Sequence, residues 1–286
     1  MRIGFIGAGK AGISLGRFFR SIGLSVSGYL SRSRASAQKG AALTDSAVFE
    51  SFKDALKQSD ILFLTVPDTE LKPIFDLLSR LELNGKTLCH ASGVLSAEEV
   101  FPGIRKLGAC GCSLHPLYPI HDTETAWRAL GGAFFTVEGE KAQQDFWIGL
   151  LSPAHVRVRP ISSADKKRYH AAAASASNLS CALAELSLSL MGRCGFDKHD
   201  ALEALAPLMR ANLENILTKG PAGALTGPVE RNDVQTVRLH LTAIEDEDER
   251  ALYRSASRLL LKLASGRHPE RSCAAMKTLL SEDRND

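Results

Sequence analysis

The run Gly7-Ala8-Gly9-Lys10-Ala11-Gly12 constrains this chain more than any other stretch. It fits G-x-G-x-x-G, comes directly after the apolar run Arg2-Ile3-Gly4-Phe5-Ile6 and opens a helical pattern over residues 11–22. A glycine triplet of this kind says little alone. Between a strand and a helix, at the start of a strand–helix–strand unit, it predicts a dinucleotide-binding turn. Gly7 permits the tight turn, Gly9 leaves the backbone open to a pyrophosphate, and Gly12 lets the helix lie close to the sheet. The helix start offers free N–H groups and a positive field to phosphate oxygens. Ala8, Lys10 and Ala11 complete the predicted loop.

The first half of the chain keeps up this alternation of strand and helix. Strand candidates fall at residues 3–6, 25–30, 61–66, 87–90, 109–114, 133–137 and 155–158. Helical stretches lie between them, including 11–22, 35–42 and 70–81. Such alternation implies right-handed crossovers and a doubly wound, mainly parallel sheet of the α/β class. After about residue 160 the pattern turns helical, with one long alanine-rich helix over 163–191 and others over 197–217, 234–244 and 248–264. Gly220-Pro221-Ala222-Gly223 and Thr226-Gly227-Pro228 predict a loop between helices. Residues 281–286 read as a solvated, fraying tail. Two domains are expected, 1–160 for the nucleotide and 161–286 for substrate and dimerisation.

Composition narrows the function classes. With 44% hydrophobic and 23% charged residues, the 286-residue chain is neither collagen-like nor disordered. A net charge of +3 is too small for a general nucleic-acid binder. No apolar run reaches the roughly 18 residues of a spanning helix, so no membrane is expected as a partner. The N-terminus lacks the pattern of a secretory signal, so a cytoplasmic location is expected. Six scattered cysteines without a C-x-x-C pair read as reduced thiols, and no metal site is expected.

The end of the second strand discriminates between cofactors. An NAD site carries an acid there for the ribose 2′-hydroxyl. Residues 1–44 contain no Asp or Glu, and the strand instead ends in Ser31-Arg32-Ser33. Arg32 can pair with a 2′-phosphate while Ser31 and Ser33 donate hydrogen bonds, so NADP (NADPH) is expected. Val66-Pro67-Asp68 and His90-Ala91-Ser92-Gly93 end two further strands. Val66, Pro67, Asp68 and Ser92 are expected to flank the nicotinamide side.

Three segments offer chemistry beyond the cofactor. His115, in Ser113-Leu114-His115-Pro116, can bind a substrate or donate a proton, or can merely fix a proline-rich loop. Lys166, His170, Ser177 and Asn178 share a helix face about 120° wide, which suits a ligand cleft. Lys166 or His170 would supply the proton and Asn178 would orient the substrate; the alternative is a basic helix start before an alanine packing face. Arg231 can clamp a carboxylate, even from across a dimer interface, while Thr226, Asn232 or Asp233 can simply cap a helix.

Together these residues resemble a family of NAD(P)-dependent oxidoreductases with a Rossmann domain followed by a helical domain of unknown function. That family is related to ketopantoate reductase, pyrroline-5-carboxylate reductase and the 6-phosphogluconate dehydrogenase group. The carriers are the glycine run, Ser31-Arg32-Ser33, Val66-Pro67-Asp68, His90-Ala91-Ser92-Gly93, Ser113-Leu114-His115-Pro116, Tyr169-His170-Ala171-Ala172, Ala176-Ser177-Asn178 and Leu225-Thr226-Gly227-Pro228. The resemblance implies an all-α C-terminal domain like that of 6-phosphogluconate dehydrogenase, a homodimer formed through it, and a site between the domains. In the better-known relatives a lysine and an asparagine on the interdomain helix handle the substrate. Here Lys166 and Asn178 are twelve positions apart rather than one helical turn, and His170 is expected to take part of that role. The leading expectation is hydride transfer between NADPH and a small keto or imino acid. The rival is a non-catalytic NADP(H)-binding sensor or interaction protein, and a deazaflavin coenzyme in place of NADP is a third alternative.

Overall fold

Strand β1 (Arg2–Ile6) alternates cleanly, with Ile3 and Phe5 buried on one face of a sheet and Ile6 on the other. In the computed structural model, which describes residues 1–281, β1 sits inside an eight-stranded sheet of order β3-β2-β1-β4-β5-β6-β7-β8. The chain reaches that order through α1 (Lys10–Ser21), β2 (Ser25–Leu30), α2 (Arg34–Thr44), β3 (Ala47–Val48), α3 (Phe52–Gln58) and β4 (Ile61–Leu64). It continues through α4 (Asp68–Leu78), β5 (Thr87–His90), α5 (Ala97–Val100), β6 (Cys110–Leu117), α6 (Ala126–Ala129), β7 (Phe134–Gly139), α7 (Lys141–Leu151), β8 (Arg157–Pro160) and α8 (Lys166–Ala176). Every neighbouring pair is parallel except β6 and β7. The strand order reverses direction at β1, whose neighbours are β2 and β4, and a doubly wound sheet opens its ligand crevice at such a point.

Both faces of the sheet are covered, as a parallel sheet requires. On one side Phe5, Phe19, Phe63, Phe135 and Trp147 pack together, with the Phe5 and Phe63 rings 5.7 Å apart. On the other side Ile6, Leu62, Leu64, Leu88 and Phe101 meet the helices α3 to α5. Each fully buried Phe or Leu contributes about 2 kcal/mol, so the carboxyl ends of these strands are held firmly.

The first compact unit spans Met1–Asn178, and the second begins at Leu179. Helix α8 falls in the first unit, where the buried side chain of Lys166 bonds Ser92 and Ser113. The second unit holds α9 (Asn178–Arg193, whose first residue closes the first unit), α10 (Lys198–Ala224), α11 (Val234–Ala243), α12 (Glu247–Arg267) and α13 (Ala274–Ser281). Val237, Leu241, Leu261, Met276 and Leu280 form its core. Asp197, Asp233 and Asp246 cap α10, α11 and α12 by accepting first-turn N–H groups.

Two expected features differ. The single helix over 163–191 is two, Lys166–Ala176 and Asn178–Arg193, broken by a turn at Ser177, whose backbone is distorted to φ −110° and ψ −70°. Serine and asparagine bond to nearby backbone and favour helix ends, and the Ser177-Asn178 pair sits at this break. Gly220-Pro221-Ala222-Gly223 is not a loop. Gly220 turns the chain at φ +72°, and Pro221 then opens a further helical turn, a position its fixed φ suits. Beyond Ser281 the expected tail lies outside the described residues. No helix among the described residues is long and apolar enough to cross a membrane.

Candidate functional site

The three motif glycines do three different things. Gly7 has φ +104°, and a Cβ there would stand 2.6 Å from the Thr65 carbonyl oxygen, so only glycine makes this turn. The Thr65 hydroxyl donates to the Gly7 carbonyl at 2.8 Å and ties the turn to the end of β4. A Cβ on Gly12 would stand 2.3 Å from the Gly7 oxygen, so this glycine sets how closely α1 approaches the turn. Gly9 has nothing within 4 Å of where its Cβ would be. It is also the N-cap of α1, with no side chain bonded to the helix start. The free N–H groups and the open space above Gly9 therefore fit an anion such as a pyrophosphate.

A cavity of about 250 Å³ opens beside this turn, lined by Gly7, Leu30, Ser31, Arg32, Val66 and Pro67 among others. The Arg32 side chain is 87% exposed at its rim, and Glu70 approaches it only to 4.0 Å. Arg32 is thus available to a phosphate. The Ser33 oxygen is already used, accepting the Ser36 N–H at 3.2 Å as the cap of α2, which leaves its proton for a ligand. Asp68 does not line this cavity; its carboxylate accepts the Ser92 hydroxyl at 3.0 Å. The Ser92 oxygen in turn accepts the N–H groups of Val94 and Leu95, so Ser92 shapes the turn after β5.

A second, larger cavity of about 530 Å³ lies within the first unit, lined by His115, Tyr118, Tyr169, His170, Ala173 and Asn178 among others. Strand β6 supplies His115 and α8 supplies Tyr169 and His170. The Nδ1 atom of His115 lies 2.8 Å from the Tyr169 hydroxyl, and the His115 and His170 ring centres are 6.2 Å apart. Burial pushes the His115 imidazole down to about 4, helped by the charge of Lys166 and by His170. Burial also pushes His90 down to about 3, again with Lys166 contributing.

Lys166 is not in that cavity. It is 1% exposed, and its amino group donates to the Ser92 carbonyl at 2.8 Å and to the Ser113 hydroxyl at 2.6 Å. Burial brings it down to about 8, against the opposing pull of Glu138, Cys89, Asp68 and Glu99. The Ser113 hydroxyl donates its own proton to Glu138, a buried carboxylate that also accepts the Ala97 N–H and the Ser163 hydroxyl. Glu138 escapes a motif search, because a single acid ending an apolar strand belongs to no pattern. Its one signal is position, just before Gly139 in an otherwise buried run. Tyr169 was legible from spacing, since 166, 169, 170 and 173 lie on one helix face.

Arg231 belongs to the second unit, where its side chain is exposed and its N–H bonds the Gly227 carbonyl at 3.1 Å. Around it the segment is tied down locally. Asp233 caps α11, Asn232 donates to the Ser272 carbonyl at 3.0 Å, and Glu230 accepts from His268 at 2.9 Å.

Comparison with known proteins agrees with this architecture. Residues 1–116 match the model of a Rossmann-like domain, and residues 133–260 match a domain of unknown function, DUF2520. The chain thus carries the Rossmann-like and DUF2520 pair that its sequence motifs resemble. No curated protein matches the chain. Among solved structures, protein TM1727 from Thermotoga maritima is 29% identical with a TM-score of 0.72, covering 93% of this chain and 99% of that one. Protein BF3122 from Bacteroides fragilis is 18% identical with a TM-score of 0.75, covering 91% of this chain and 98% of that one. The imine reductase from Myxococcus stipitatus in complex with NADP+ is 17% identical with a TM-score of 0.63, covering 99% of this chain and 100% of that one. The last two likenesses are likenesses of fold.

Proposed function

We propose that this protein is an NADP-dependent oxidoreductase that transfers a hydride between NADPH and the carbonyl or imine carbon of a small keto or imino acid. The observation that carries the reading is the open, uncapped glycine turn beside an exposed Arg32 at the end of β2. The similarity in fold to an imine reductase that binds NADP+ supports it. The first-turn N–H groups with Gly9 would hold the pyrophosphate, Arg32 and Ser31 the 2′-phosphate, and Val66 and Pro67 would pack beside the nucleotide. Bound NADPH supplies the hydride. His115, His170 and Asn178 line the second cavity and would bind and orient the reacting molecule. Three imidazoles line it, His115, His121 and His170, and we assign the proton to His115 or His170, whereas the Lys166 amino group is spent on Ser92 and Ser113. Arg231 is proposed as the clamp for a substrate carboxylate, and the second unit as the surface that pairs two copies of the chain.

Titration with NADPH and NADH, followed by nicotinamide fluorescence, tests the cofactor. NADPH should bind at least about tenfold more tightly than NADH, since one lost charge-assisted pair is worth about 1.5–3 kcal/mol. Arg32→Ala should erase most of that preference while leaving NADH affinity within about twofold. Binding of neither nucleotide removes the oxidoreductase reading.

A further inference from the structure

The contact between His115 and Tyr169 fixes more than a ring orientation. At 2.8 Å, one partner gives the proton and the other takes it. A phenol O–H is a stronger donor than a neutral imidazole N–H, and an imidazole nitrogen is a stronger acceptor than a phenol oxygen. Tyr169 therefore donates to Nδ1, and the neutral ring keeps its own proton on Nε2. No partner for Nε2 is found among the described residues, and the ring lines the cavity of about 530 Å³.

Gly93 makes room for this edge of the ring. A Cβ at residue 93 would stand 2.9 Å from His115 Nε2 and 2.6 Å from His170 Cδ2. Lys166 fixes the frame: its amino group ties the Ser92 carbonyl, one residue before Gly93, to the Ser113 hydroxyl, two residues before His115. Since Lys166 also begins the helix that carries Tyr169 and His170, it joins that helix to the segments of Gly93 and His115.

We propose that His115 presents Nε2–H to the cavity as a neutral hydrogen-bond donor, held in that tautomer by Tyr169, and that the slot it forms with His170 takes a carbonyl oxygen or an unprotonated imine nitrogen. A neutral imidazole can polarise a carbonyl without first losing a proton to solvent. An iminium or ammonium nitrogen offers no acceptor and meets the slot donor to donor. Tyr169 and Lys166 are positioning residues. This assignment rests on reading the cavity as the seat of the reacting molecule.

The test is nitrogen NMR on protein labelled in its histidine rings, with the His115 signals assigned by their loss in His115→Asn. The wild-type ring should be the Nε2–H tautomer at pH 7 and stay neutral to below pH 5. Tyr169→Phe should release it into a mixture of tautomers. Lys166→Met should raise its titration by half a pH unit or more, and if that variant fails to fold, the Tyr169→Phe result decides alone. Cyclohexanone, as a neutral acceptor, should move the Nε2 signal, and cyclohexylammonium should not. A wild-type ring protonated on Nδ1, a ring titrating at the ordinary histidine pH, or an equal response to the two probes overturns the assignment. NADPH titration of the same samples separates the two readings. Nucleotide binding with the wrong tautomer leaves the oxidoreductase standing and the donor slot lost; the right tautomer without nucleotide binding does the reverse.

Discussion

His90 is buried and His115 half-buried, and the lowered imidazole values of both have a consequence for stability. Their imidazoles are held at about 3 and about 4, whereas an unfolded histidine titrates near 6.5. Below about pH 6.5 the unfolded chain binds protons that the folded one refuses, so stability present above that pH is lost as pH falls towards 4. Each such ring contributes a slope of up to about 1.4 kcal/mol per pH unit. Thermal unfolding from pH 7 to pH 5, a window above the carboxylates, should show a steady fall in Tm. The fall should shrink by about half in His115→Gln measured against its own pH 7 value. A wild-type Tm that is flat over this window contradicts neutral burial of these rings. The sequence marked both histidines, because each ends an apolar strand, but not their charge state. That state comes from burial and from Lys166, whose inward aim is a tertiary fact.

The glycine turn gives a sharper test, because its spacing was legible and its tolerances were not. Gly12→Ala places a methyl 2.3 Å from the Gly7 carbonyl oxygen and 2.4 Å from the Thr65 hydroxyl, so α1 must lift from the turn. We expect a loss of about 1–3 kcal/mol of stability and of nucleotide binding together. Gly149→Ala in α7 is the control: nothing lies within 4 Å of its Cβ and the position is exposed, so it should stabilise by about 0.5–1 kcal/mol. Equal effects of the two substitutions in urea unfolding would remove the close-packing account. The elements themselves were readable where period was strong, as in β1, β4 and β5. The break at Ser177 was not, because alanines at 171–174 satisfy any helical face. Nor was the antiparallel step from β6 to β7, since strand direction depends on how the connection runs, and that leaves no mark on the alternation of side chains.

The second unit carries apolar residues that its own core does not cover. On α9 Leu179 and Leu183 are exposed, and on α10 Leu202, Leu208, Met209, Leu213 and Leu217, with Leu208 at 67% and Leu217 at 72%. At about 100° per residue Leu202, Met209, Leu213 and Leu217 fall within about 80° of one face of α10, and exposed apolar faces of this kind mark interaction sites. Burying one such leucine is worth about 1.5–3 kcal/mol, so covering several of them favours association strongly. The proposed occupant is a second copy, since an isologous interface lets one face meet itself. From sequence alone this face was indistinguishable from a core face, because a helix that packs on its own chain and one that packs on a partner share the same 3.6-residue period. Sedimentation equilibrium should therefore give a dimer for the wild type at micromolar concentration. Leu213→Glu with Leu217→Glu should give a folded monomer with unchanged far-ultraviolet circular dichroism and an undiminished affinity for NADPH, because the glycine turn and Arg32 lie wholly in the first unit. A monomeric wild type removes the second copy as the occupant, and loss of NADPH binding in the monomeric variant means that the nucleotide site needs the partner.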